Sequence, residues 1–160
     1  MFNLALSLTG NRADAEDLAQ DALLRAVRAL PGFRGDSLHS TWAYRITVNA
    51  WKSRVRAQKR RRFWSAVTLG LVSGEDADAK ADEPALDAGL EGAERSSAVR
   101  DALGALEDDD RAIVVLREIE ERSYKEIGDM LGLAEGTVKS RLFRARARLK
   151  TLLEKTAAAP

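Results

Sequence analysis

Hydrophobic positions recur at intervals of three and four along most of this chain, and no stretch shows the strict alternation of a half-buried strand. Leu18, Ala22, Leu23, Ala26, Val27 and Leu30 form one such stripe, which predicts an amphipathic helix ended by Pro31 and Gly32. Asn11 or Asp14 can cap its start, and Asp14, Glu16 and Asp17 crowd a first turn where the helix dipole favours negative charge. The segment FRGDSLHS, residues 33–40, reads as a loop through Gly35, Asp36 and its serines. A second helix starts near Thr41, with Trp42, Ile46, Asn49, Ala50 and Val55 as its stripe. Tyr44, Arg45, Lys52 and Arg56 fall largely elsewhere on its surface.

The second half repeats the helical period. Val99, Leu103 and Leu106 predict one short helix and Ile113, Leu116 and Ile119 the next, separated by the acidic EDDD of residues 107–110, which suits a helix N-terminus. Ser123 is placed to cap a third helix, SYKEIGDML, and Gly132 to stop it. After AEG comes a fourth, carrying Val138, Leu142, Ala145, Leu149 and Leu152. With no strand pattern in competition, the fold class is all-α.

Charge then divides the chain. From Lys52 to Arg62 there are seven basic residues and no acidic one, whereas from Glu75 to Glu94 there are eight acidic residues opposed only by Lys80. The acidic block holds Pro84, Gly89 and Gly92 and lacks a sustained apolar stripe, so residues 65–94 read as an acidic flexible linker. Two small helical modules result, 1–64 and 95–155, the second containing a helix-turn-helix.

Composition removes whole classes of chemistry. The 160 residues carry 26 Lys and Arg against 25 Asp and Glu, a net charge of +1, so only the distribution of charge can argue for an anionic partner. There is no Cys and a single His, His39, which leaves no disulfide, thiolate nucleophile, Cys-based zinc site or His cluster. No cofactor, metal site or catalytic residue is expected, and the chain does not read as an enzyme. No signal peptide or membrane span is visible, which places the protein in the cytoplasm without membrane insertion.

Three constellations carry binding chemistry. Residues 123–150 match a helix-turn-helix, whose second helix enters the DNA major groove. Between Lys139 and Lys150 lie six basic residues and no acidic one, and the core-facing series 138, 142, 145 and 149 leaves Lys139, Ser140, Arg141, Phe143 and Arg144 outside. Arginine can grip guanine with two parallel hydrogen bonds while other cations pair with phosphates; the plainer reading is a solvated basic face. In the helix after the FRGDS loop, Trp42, Tyr44 and Trp51 interleave with Arg45, Lys52, Arg54 and Arg56, joining stacking surfaces to phosphate-pairing cations as single-stranded nucleic acid requires. Each Trp taken singly is more often core. The carboxylates Asp14, Glu16, Asp17 and Asp21 with Gln20 need no catalytic explanation beyond a helix start, but they could dock a basic partner.

The segments AEDLAQDALLRAV (15–27), FRGDSLHSTWAYRITVNAWKSRVR (33–56) and LREIEERSYKEIGDMLGLAEGTVKSRLFRARARL (116–149) closely resemble bacterial RNA polymerase sigma factors of the extracytoplasmic-function type. The resemblance implies a promoter-specificity subunit that binds core RNA polymerase and directs initiation at minus-10 and minus-35 promoters, regulated by an anti-sigma factor. It places Asp14, Glu16, Asp17, Gln20 and Asp21 on or beside the polymerase-binding helix. Arg34, Gly35, Asp36, Ser37, His39, Trp42, Tyr44, Arg45, Asn49, Lys52 and Arg56 would meet minus-10 DNA, the loop holding a flipped-out base. Thr137, Lys139, Ser140, Arg141, Phe143, Arg144 and Arg148 would meet minus-35 DNA. His39 stands where the family pattern leads one to expect an aromatic residue, and the stretch ahead of Phe2 is short for the family. The alternative is a sigma-like decoy that sequesters an anti-sigma factor without binding DNA, which should have lost these basic groups.

Overall fold

The computed structural model describes residues 1–68 and 90–157, and every regular element among them is helical. In the first module α1 (Phe2–Thr9) stops at Gly10, whose φ of 80° lies in the left-handed region, and α2 (Arg12–Ala29) follows at once. The Asn11 side chain caps α2 by accepting from the Asp14 amide at 2.8 Å. A 3-10 turn, Leu30–Gly32, precedes the loop, and α3 runs from His39 to Thr68. The loop is therefore shorter than the serine-rich sequence implied, because His39 and Ser40 already belong to α3.

Leu4 and Leu8 of α1, Ala15, Leu18 and Ala22 of α2, and Val48, Ala50 and Trp51 of α3 are buried together. Each large side chain so buried contributes about 1.5–3 kcal/mol. Trp51, only 2% exposed, is core and not a stacking platform. Leu18 and the small residues of α2 face inward, and the other large residues predicted to share its stripe do not: Leu23, Val27 and Leu30 are exposed, with Leu24 beside them.

The second module contains α4 (Leu90–Gly104), α5 (Asp108–Val114), α6 (Tyr124–Leu131) and α7 (Glu135–Ala157). Asp108, Asp109 and Asp110 occupy the first turn of α5. Beyond Val114 the helix widens into a π turn, Val115–Ile119, and leaves it through Glu121, a non-glycine residue at φ 54°. Ser123 caps α6 in a full capping box: its hydroxyl oxygen accepts from the Glu126 amide, and the Glu126 carboxylate accepts from the Ser123 amide at 2.9 Å. Gly132 closes α6 at φ 68°. Gly128 makes the tight turn into α7 possible, because a Cβ there would lie 2.6 Å from the Leu133 carbonyl oxygen.

Ile113, Leu116, Ile127, Val138, Leu142 and Ala145 form the centre of this module, whereas Val99 and Ile119, predicted on its stripes, are substantially exposed. Helices α3 and α4 both reach into the segment whose composition suggested a linker; its middle, 69–89, lies outside the described residues. The two modules touch, α3 lying against α6 and α5 and α1 against the π turn, so that the buried residues of both form one continuous cluster.

Candidate nucleic-acid interface

On α3, Trp42, Arg45, Asn49, Lys52 and Arg56 are spaced three, four, three and four apart and so share one helix face. Arg45, Asn49 and Arg56 are exposed, Trp42 and Lys52 half-buried. Arg34, Gly35 and Asp36 project from the preceding loop, Ser37 is partly covered, and Gly35 turns the chain at φ 77°. Phe33, absent from the sequence-based set, anchors this loop: its ring centroid lies 4.7 Å from that of His39 and 5.1 Å from that of Trp42. An aromatic at the loop's first position, within reach of the first turn of α3, was the signal available. Tyr44 departs from expectation. It lies off the ridge and faces the second module, where its hydroxyl donates to Glu120 at 2.6 Å beneath the Arg122 guanidinium, 4.5 Å from the ring centroid. Burial first, and then the Glu120 carboxylate, push the phenol pKa up, so Tyr44 remains a donor.

On α7 the core series leaves Lys139, Ser140, Arg144 and Arg148 exposed, Thr137 partly covered and Phe143 77% exposed, an open face of cations around one aromatic ring. Lys139 pairs with Glu135 at 2.7 Å, which raises the pKa of its amine, and its Nζ lies 5.3 Å from the Tyr124 ring centroid. Arg141 differs from the others. Expected outside, it is half-covered by α5 and pairs with Asp109 at 2.9 Å.

The same Asp109 pairs with Lys52 of α3 at 2.6 Å, so one carboxylate joins a cation of each module. Lys52 foremost, and Arg141 after it, hold the Asp109 carboxyl below its ordinary pKa. Lys59 pairs with Asp108 at 3.0 Å. These residues with Arg56 and Glu107 line an open polar recess of about 350 Å³.

The predicted polymerase face lies apart from both. Asp14, Glu16, Asp17 and Gln20 are exposed on α2; Glu16 pairs with Arg12 at 2.8 Å and Asp21 with Arg25 at 2.9 Å. Asp17, Gln20, Leu24 and Val27 form one ridge at spacings of three, four and three, so the acidic start continues into the exposed apolar stripe. The sequence puts Leu23, Val27 and Leu30 on one amphipathic stripe with Leu18, Ala22 and Ala26, but the apolar arc is wider than the neighbouring helices cover, and only the latter three are buried. Among the described residues no group of three or more His, Cys, Asp or Glu side chains could hold a metal ion, and no helix is long and apolar enough to cross a membrane.

Comparison with known proteins gives this geometry its context. Residues 1–61 match sigma-70 region 2 and residues 96–149 match sigma-70 region 4. The chain is 35% identical to the RNA polymerase sigma-H factor of Pseudomonas aeruginosa over 96% of its own length and 80% of the relative's. It is 33% identical to the ECF RNA polymerase sigma factor SigW of Bacillus subtilis, over 96% and 82%, and 40% identical to SigM of Mycobacterium tuberculosis, over 96% and 71%. Among solved structures it is similar to the sigma factor RpoE in complex with the anti-sigma factor NepR from Bartonella quintana, with a TM-score of 0.69, 29% identity, and coverage of 96% of this chain and 89% of that one. It is also similar to CnrH in complex with the cytosolic domain of CnrY, with a TM-score of 0.66, 25% identity, and coverage of 99% and 81%. With both sigma-70 regions present in order and relatives matched over nearly the whole chain, this protein belongs to the extracytoplasmic-function family of RNA polymerase sigma factors.

Proposed function

We propose that this protein is a promoter-specificity subunit whose first module, 1–64, binds core polymerase and the minus-10 element and whose second, 95–155, reads the minus-35 element across the linker 65–94. The observation that carries the reading is the retention of two nucleic-acid faces in one chain: Trp42, Arg45, Asn49 and Arg56 along α3, and Lys139, Phe143, Arg144 and Arg148 along α7. The first combines an aromatic with cations and an amide beside a loop, suited to unpaired bases; the second suits phosphates and base edges of a duplex. The ridge from Asp17 through Gln20 to Leu24 and Val27 offers polymerase an acidic and apolar surface remote from both.

The similarity to RpoE, solved in complex with the anti-sigma factor NepR, supports assigning such a factor to this chain as a further partner. The test is in vitro transcription with bacterial core polymerase and a promoter library. Sequence-dependent initiation is expected; absence of initiation, with retained binding to a cognate anti-sigma factor, would establish the decoy instead.

A further inference from the structure

Two cations share one aromatic ring inside the second module. Tyr124, the first residue of α6, lies with its ring centroid 4.8 Å from the Arg117 guanidinium carbon and 5.3 Å from Lys139 Nζ. Arg117 belongs to the π turn and is itself held, donating to the Arg122 carbonyl at 2.8 Å. Lys139 stands in the second turn of α7, and its amine also pairs with Glu135, one turn earlier, at 2.7 Å. The π turn is tied to α7 a second time, Glu118 accepting from Arg146 at 2.6 Å. Three elements thus converge near one lysine that is nevertheless exposed. An unheld surface lysine is a point charge on a flexible four-carbon stem. Here a ring and a carboxylate fix where the amine lies.

We propose that Tyr124 is a positioning residue for sequence reading: its ring fixes the Lys139 amine at the N-terminal part of α7, so that Lys139 hydrogen-bonds one base pair of a minus-35 duplex in preference to the phosphates within reach. The proposal rests on the promoter-binding reading. Its physical basis is preorganisation. A mobile cation is ordered only on binding, and phosphates capture it without regard to sequence, whereas a cation placed in advance meets an acceptor at one position. An ammonium has three protons; Glu135 takes one, leaving two for the O6 and N7 acceptors that guanine presents in the major groove. The N-terminal residues of a recognition helix are those that reach base edges. The widened turn at Val115–Ile119 then acquires a role, because it carries Arg117 to the Tyr124 ring and so helps set where that ring stands.

The test titrates the full-length parent, Tyr124→Phe, Tyr124→Leu, Lys139→Met and the double variant Tyr124→Leu with Lys139→Met against a duplex that the parent selects from a randomised pool, and against its single-base variants. The parent should discriminate about ten-fold at the base pair Lys139 reads, and Lys139→Met should abolish this. Tyr124→Leu should lower discrimination about three-fold at that base pair alone. Tyr124→Phe keeps the ring and should preserve it, and in the double variant the leucine should add nothing there. Partial unfolding of Tyr124→Leu would weaken all duplexes alike and leave the ratio unmoved. In the free protein the Lys139 ε-methylene protons should resonate upfield of an ordinary lysine in the parent and in Tyr124→Phe, but not in Tyr124→Leu. Ordinary ε-proton positions in the parent, equal losses at every base pair, or a phenylalanine variant as impaired as the leucine one would overturn the proposal. Preference that survives Tyr124→Leu defeats the proposal alone, whereas a parent with no preference at any base pair defeats the promoter reading and the proposal together.

Discussion

Replacing Glu121 by glycine should make this protein more stable, although it deletes an acidic side chain from the helix-turn-helix module. Glu121 is exposed and held at φ 54°, in the left-handed region where a Cβ crowds the backbone. The conformation follows from its neighbours. The Glu120 amide reaches back to the Val115 carbonyl at 3.1 Å and the Arg122 amide to that of Leu116 at 2.9 Å, closing the π turn and leaving Glu121 to reverse the chain. Left-handed backbone costs a residue with a Cβ about 1–2 kcal/mol. Glycine relieves that strain but makes the unfolded chain more flexible, which offsets about 0.4–1 kcal/mol. The net gain is about 0.5–1 kcal/mol, a rise of about 1–4 °C in Tm for a chain of this size. Thermal unfolding followed by circular dichroism measures it, with Glu121→Ala as the comparison that keeps the Cβ and should gain nothing. A glycine variant melting at or below the parent, or an alanine variant rising equally, would refute the argument from backbone strain.

Gly128→Ala should destabilise the second module by about 1–3 kcal/mol and weaken minus-35 binding, since the added Cβ meets the Leu133 carbonyl oxygen; denaturant midpoints and duplex titration check both. Ser123→Ala should cost about 1 kcal/mol near neutral pH through the lost cap. The Ser123 amide and hydroxyl hold the Glu126 carboxyl below its ordinary pKa, so this stabilisation is fully present above about pH 4.3 and lost as pH falls through the lowered folded value. Acid titration should accordingly show a smaller loss of stability in Ser123→Ala than in the parent. Asp17→Arg should weaken core polymerase binding while leaving duplex binding unchanged; equal polymerase affinity in a titration removes Asp17 from the docking face. Arg141→Ala should cost about 1–3 kcal/mol at one promoter position, whereas Lys150→Ala should weaken all sequences alike and lower the salt slope; binding across single-base variants distinguishes them.

The helices and their caps were legible because they depend on neighbours in sequence. Asn11, Ser123 and Gly132 act within one turn of where they stand, and the four-three-four series from Val138 marks the inner face of α7 without reference to any other element. What escaped the sequence depends on partners distant along the chain. Tyr44 could not be assigned a side of α3 without the placement of Glu120, 76 residues away, and Arg141 looked free because nothing local shows α5 against it. The α2 stripe failed for a different reason. Hydrophobic spacing locates an apolar face but says nothing of how much of it the fold covers. Here alanines permit close packing while the leucines beside them remain outside. Phe33 was passed over because a loop residue has no period to betray it.

That uncovered stripe on α2 has a consequence for the protein as a material. Leu23, Leu24, Val27 and Leu30 are each more than half exposed, and a net charge of +1 supplies almost no long-range repulsion between copies. Free protein should therefore attract its own copies: its second virial coefficient is expected to be negative at low salt, and Leu24→Lys should make it less so. A partner that covers this stripe on α2 would then also act as its solubiliser.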